Sequence, residues 1–139
     1  MIKAVVFDCF GVLYVAAGWQ RKLERNDELM EYIGELRSGY STAALSNTPN
    51  QRLEGYFTTD EEARFFDVVL TSGGAGVAKP HPSIFEQVCQ KLGVEPAEAV
   101  MVDDGEQNCE GARAVGMQAI LYVSMEQLRR DLEPLLERR

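Results

Sequence analysis

Five short runs of mostly apolar residues alternate with segments whose apolar residues recur at helical spacing, and this alternation constrains the chain more than any other feature. Runs 2–7 (IKAVVF), 41–45 (STAAL), 67–70 (DVVL), 99–102 (AVMV) and 118–123 (QAILYV) read as buried strands. Segment 27–36 sets Leu29, Met30, Ile33 and Leu36 on one helical face, with Gly39 as its stop. Pro49 suits a first helical turn, so 48–57 is predicted as a helix. Segment 82–92 turns Ile84, Phe85, Val88 and Leu92 inward and ends at Gly93, and 107–115 closes at Gly116. Ser124 caps a last helix from Met125, of which the charged stretch 126–139 is the solvated end. Strand–helix alternation gives a parallel sheet covered on both faces. The expected fold class is therefore α/β, a Rossmann-like three-layer sandwich on a five-stranded parallel sheet. The length of 139 residues suits one domain, 1–139, large enough to fold without a disulfide or a metal.

A net charge of −8 argues against nucleic acid and anionic membranes as partners, since both need clustered cations. No apolar run is long enough to span a bilayer, and Lys3 and Asp8 interrupt any N-terminal signal core. The three cysteines, Cys9, Cys89 and Cys109, are odd in number, widely spaced and expected to be structural. A reducing cytoplasm is the expected compartment.

Ligands of such folds bind beyond the carboxyl ends of the strands. Asp8 follows the first strand, Ser46 and Asn47 the second, GGAGVAKP with Lys79 the third, and Asp103 and Asp104 the fourth. A parallel sheet gathers them on one edge. Clustered carboxylates repel unless a cation joins them, and hard oxygen ligands suit Mg²⁺. A hydroxyl and the free N–H groups of a helix from Thr48 could hold phosphate oxygens. An ionised aspartate could attack phosphorus or carbon.

These stretches resemble the haloacid dehalogenase-like (HAD) hydrolase superfamily. FDCFGVL is similar to its first motif, ALSN to its second, GVAKPHPSIF to its third and MVDDGEQNCEGARAVGM to its fourth. The order agrees and nearly the whole chain is covered. A receiver domain has similar residues, but its acidic pair comes first and its lysine last. The resemblance implies Asp8 as nucleophile and metal ligand, with the backbone carbonyl of Phe10 as a second ligand. It implies Asp103 as a direct metal ligand supported by Asp104, and Lys79 and Ser46 as catalytic groups. Asn47 and Gly11 are expected to contact substrate. Asn108 either supports the site or is a polar residue of a first helical turn. His81 is expected to cap the following helix.

Two departures qualify the resemblance. Phosphatases of this family usually carry an acid–base aspartate where this chain has Phe10; losing such a group costs about 10²–10⁴ in rate. Relatives also insert a cap domain between the first two motifs, but here only 14–26 is left for one. This residual cap holds one short hairpin or helix, with Tyr14 and Trp19 near the rim. There Trp19 could contact a partner or pack onto the core. An open site would be covered by a large substrate or by a second subunit. The reading is a Mg²⁺-dependent hydrolase, a phosphatase or phosphotransferase using an aspartyl-phosphate on Asp8, slowed by Phe10. Its substrate would be a phosphorylated small molecule or a phosphoprotein. The alternatives are a catalytically retired domain that binds a phosphorylated ligand or protein, and a haloacid-type dehalogenase.

Overall fold

The computed structural model describes residues 1–136. Its elements are β1 (Ala4–Phe7), β2 (Tyr14–Ala17), β3 (Lys22–Arg25), α1 (Asp27–Leu36), β4 (Ser41–Ser46), α2 (Thr59–Phe65), β5 (Val68–Thr71), α3 (Ser72–Ala75), α4 (Pro82–Leu92), β6 (Ala99–Asp103), α5 (Glu106–Ala114), β7 (Gln118–Leu121) and α6 (Met125–Leu136), with a 3₁₀ turn at Pro96–Glu98. The end of the predicted 126–139 helix, 137–139, lies outside the described residues.

Five strands form one parallel sheet in the order β5-β4-β1-β6-β7. The chain lays β4 and β5 on one side of β1, then crosses back to place β6 and β7 on the other. The order reverses between β1 and β6, so a crevice opens at the carboxyl ends of these two strands. Both are fully buried, as their unbroken apolar runs require. Val5 and Phe7 face one side of the sheet, with Leu29 and Ile33 of α1 and Leu128 and Leu132 of α6. Ala4 and Val6 face the other, with Ile84, Phe85 and Val88 of α4 and Ala112 of α5. Alternate residues of each strand thus seal two cores, and the strand ends are left to carry polar groups.

Side-chain caps start several of the helices, those at His81 and Ser124 as expected. The Asn26 side chain accepts from the Leu29 N–H and starts α1. His81 Nδ1 accepts from the Ser83 N–H, so the single histidine is a cap. Ser124 Oγ accepts from the Gln127 N–H.

The predicted helix at 48–57 does not form. The Thr48 carbonyl accepts from Gly73 N–H and Ser72 Oγ instead of a residue four places on, and Pro49 packs against Gly73 so closely that a Cβ there would strike its carbonyl. Tertiary contacts pin 48–50 and override the proline signal. The helix begins ten residues later, where Thr58 and Glu61 make a reciprocal capping box. TTDE at 58–61 carried that signal.

Residues 14–25 form a two-stranded hairpin, β2–β3. Isolated hairpins are marginal, and this one is tied down at its base. Tyr14 Oη donates to the Tyr56 carbonyl at 2.6 Å, and Arg25 pairs with Glu61 at 2.6 Å. Its tip is free: Trp19 is 90% exposed and does not pack on the core.

Candidate active site

Lys79 is the centre of the site. Its ammonium donates to Asp8 Oδ1 at 2.8 Å, to Asp103 Oδ2 at 2.8 Å and to the Leu45 carbonyl at 3.0 Å. All three protons are used, and the residue is buried. β1, β6 and β4 therefore converge on one cation brought in by the loop between α3 and α4. That loop is set by Asn47, whose Oδ1 accepts from the Lys79 N–H at 2.8 Å and whose Nδ2 donates to the Lys79 carbonyl at 3.1 Å. Asn47, expected to touch substrate, spends its amide on positioning Lys79. The Lys79–Pro80 peptide is cis.

Asp8 stands just past the end of β1 and is 6% exposed. Its Oδ1 also accepts from the Cys9 N–H at 2.9 Å. Burial pushes its carboxyl up to about 7; Lys79 pulls it back, and Asp103 and Asp104 add to the rise. Asp103 is the last residue of β6 and wholly buried. Besides Lys79 it accepts at Oδ1 from Gly105 N–H at 2.9 Å and from Asn108 Nδ2 at 3.3 Å. Asn108 thus supports a site carboxylate. Asp104 is exposed, and its carboxylate lies where a Cβ on Gly11 would stand. Gly11, expected to contact substrate, has φ of +100°, and its N–H donates to the Tyr14 carbonyl.

Ser46 ends β4. Its hydroxyl is buried and has no hydrogen-bond partner among the described residues. An orphaned donor costs free energy unless something else meets it. It lines a cleft of about 210 Å³ with Asp8, Phe10, Asn47, Lys79, Asp104 and Asn108. A far larger groove, about 930 Å³ beside α1, lies elsewhere and holds none of these groups. The Phe10 ring meets Tyr56 edge-on at 4.8 Å, and Tyr14 meets the same ring at 5.0 Å. Tyr56 was not foreseen, because the segment carrying it was read as a helix. Phe10 thus gives the cleft an aromatic wall, backed by Tyr56.

One carboxylate oxygen from each of Asp8, Asp103 and Asp104 lies within 4.8 Å of the others. Three carboxylates around one ammonium leave two uncompensated charges when all are ionised. An all-oxygen donor set with excess negative charge fits a hard divalent cation. The arrangement offers a buried carboxylate, a neutralising lysine, a hydroxyl without a partner among the described residues and a place that such a cation would fit.

Comparison with known proteins agrees. Residues 17–116 match the family model of haloacid dehalogenase-like hydrolases. The chain is 39% identical over 100 residues to haloacid dehalogenase-like hydrolase domain-containing protein 3 of Mus musculus, covering 71% of this chain and 39% of that one. It is 30% identical over 95 residues to pyrophosphatase PpaX of Bacillus cereus, covering 68% and 44% respectively. It thus spans less than half the length of either relative. Among solved structures, a HAD-superfamily hydrolase of subfamily IA from Geobacter sulfurreducens superposes with a TM-score of 0.80 at 17% identity, covering 96% of each chain. A HAD family enzyme from Bacteroides thetaiotaomicron, solved with magnesium and inorganic phosphate, gives 0.73 at 19%, covering 97% of this chain and 99% of that one. The likeness in structure extends the motif match to nearly the whole sheet and its helices, and the chain belongs to the haloacid dehalogenase-like hydrolase family.

Proposed function

We propose that this chain is a Mg²⁺-dependent phosphatase or phosphotransferase that works through an aspartyl-phosphate on Asp8. The observation that carries the reading is the Lys79 ammonium bridging Asp8 and Asp103 beside the partnerless hydroxyl of Ser46. An oxygen of Asp8 bonds to phosphorus as the bond to the leaving oxygen breaks. Ser46 donates to a phosphoryl oxygen, and Lys79 favours the ionised form of Asp8 against the effect of burial and neutralises charge on the transferring group. Water then cleaves the phosphorus–oxygen bond to Asp8 and returns the free carboxylate with inorganic phosphate. Asp8, the Phe10 carbonyl, Asp103 and Asp104 would hold Mg²⁺, which when bound supplies charge neutralisation at phosphorus. The magnesium and phosphate of the Bacteroides structure support this choice of ion and group.

Phe10 can neither protonate a leaving group nor activate water. The leaving group then takes its proton from solvent, which favours substrates with a stable leaving anion. Pyrophosphatase among the relatives agrees with a phosphorylated small molecule as substrate; a phosphoprotein is the other substrate class an open cleft admits. The three cysteines are free, which suits a reducing cytoplasm. We read the whole chain as one domain in which the 14–26 segment stands where relatives carry a cap. The test is hydrolysis of p-nitrophenyl phosphate with Mg²⁺ by wild type and Asp8→Asn. Loss of turnover in the variant is expected, and equal rates would remove Asp8 from the chemistry. A second reading, a retired domain that binds phosphorylated ligands, rests on Phe10. It predicts Mg²⁺-dependent binding of beryllium fluoride with no turnover in wild type.

A further inference from the structure

We propose that the outer edge of β3 pairs with the same edge of a second copy of this chain, giving a two-fold dimer joined through the hairpin. Among the described residues β3 is bonded to β2 alone, so its other edge presents unpaired backbone groups. Lys22, Leu23 and Glu24 are exposed, and neither Lys22 nor Glu24 forms an ion pair among the described residues. Such an edge normally carries features that repel a second strand. Here the charges instead select one.

A two-fold contact between identical edges is antiparallel and self-complementary. With the axis at Leu23, Lys22 stands opposite the partner's Glu24 and Glu24 opposite the partner's Lys22. A two-fold axis normal to the ribbon keeps each side chain on its own face, so the register must be centred on a residue. Centring on Lys22, Glu24 or Arg25 places like charges face to face, and within the strand only the axis at Leu23 opposes unlike ones. Both charge pairs share one face of the ribbon, because side chains alternate along a strand. On the opposite face Leu23, 49% exposed, sits across from Ala16 of β2. The dimer joins these residues of both copies into one apolar strip. Pairing stops at Lys22 because Arg21 has φ of +54° and leaves the strand.

The antiparallel course carries each tip past the partner's Arg25 toward the start of its α1 at Asp27. In each copy Asp27 lines the groove of about 930 Å³, together with Met30, Gly34, Arg64 and Phe65. Among the described residues the indole is the largest exposed apolar group, at 90%, and the groove offers it about 930 Å³. We place one copy's Trp19 in the other's groove. Neither feature has a role in the chemistry at Asp8, so this inference stands apart from the proposed function.

The experiment is sedimentation velocity of the full chain over a concentration series, with tryptophan emission recorded at each point. The contact is at the small end of specific interfaces, so a dissociation constant on the order of tens of micromolar is expected. Lys22→Glu and Glu24→Lys each set like charges opposite twice and should dimerise at least tenfold more weakly. Mixing the two variants restores unlike pairs and should give a heterodimer, and the double swap should dimerise as wild type does. Both positions are exposed, and circular dichroism verifies that each variant folds. Trp19 is the only tryptophan, so its emission should shift to the blue as dimer forms. A wild type that stays monomeric overturns the proposal, as do single variants that dimerise like wild type. A dimer with unmoved emission overturns the placement of Trp19.

Discussion

Replacing Lys79 by methionine is the substitution with the largest expected effect on the folded state. The ammonium lies 2.8 Å from each of two buried carboxylates and 3.0 Å from the Leu45 carbonyl. Methionine fills much of the volume but leaves Asp8 and Asp103 facing each other without a cation. Breaking a buried ion pair from one side costs about 3–5 kcal/mol. For a chain of this length that corresponds to a fall in Tm of about 10 °C or more. The deficit depends on pH in a definite sense. Burial already raises the Asp8 carboxyl to about 7, with Lys79 opposing the rise. Without Lys79 the folded-state value climbs further above the ordinary 3.8. The folded variant then holds a proton that the unfolded chain gives up, so its stability grows as pH falls from above 7 toward the ordinary value. Urea unfolding at pH 8 and pH 5.5, without metal, measures both terms. The deficit should be several kcal/mol at pH 8 and smaller at pH 5.5. Millimolar Mg²⁺ should stabilise the variant more than wild type, since its carboxylates lack their own cation. A deficit below about 1 kcal/mol at pH 8, or one that deepens on acidification, would refute the electrostatic account of Lys79.

Three further outcomes follow from the same geometry. Phe10→Asp should raise turnover of p-nitrophenyl phosphate by about a hundredfold while lowering Tm, because the edge contact with Tyr56 is lost; an unchanged rate would show that more than an acid–base group is missing. Ser46→Ala removes a buried hydroxyl that has no partner, so the apo protein should gain up to about 1 kcal/mol by urea unfolding, with a raised KM for substrate; a loss of stability would mean that the hydroxyl is satisfied within the fold. Glu61 is held down to about 2 by its hydrogen bonds from Arg25 and from the Thr58 backbone. Its contribution is present above the ordinary carboxylate value and lost as pH falls toward about 2. Glu61→Gln should therefore flatten the acid limb of the stability curve between about pH 4.5 and 2, and a parallel limb would dismiss the pair.

The sequence exposed most of what depends on period and strand ends. Asp8, Ser46, Lys79 and Asp103 could be placed on one edge because each closes or follows an apolar run, and a parallel sheet brings such positions together. Ser46 and Asp103 turn out to be the last residues of their strands, and this helps explain their burial. What the sequence hid depends on contacts between distant segments. The turn at 48–50 is shaped by Ser72 and Gly73, and no local signal reports that. Asn47 reads as a polar residue after a strand; only the folded chain brings it to the Lys79 backbone, 32 positions away. The helix expected from Thr48 does not form, and the buried Ser46 hydroxyl lines the cleft without a partner among the described residues.

Gly11 does more than turn the chain. Its missing side chain lets the Asp104 carboxylate rest against the backbone that leads from Asp8 into the hairpin, and its N–H is fastened to Tyr14 at the foot of β2 at 2.7 Å. Hairpin and acidic loop therefore meet at a single hinge with no padding between them. A tilt of the ribbon therefore presses on the Asp104 carboxylate through Gly11, so the posture of the flap and the placement of that carboxylate are coupled.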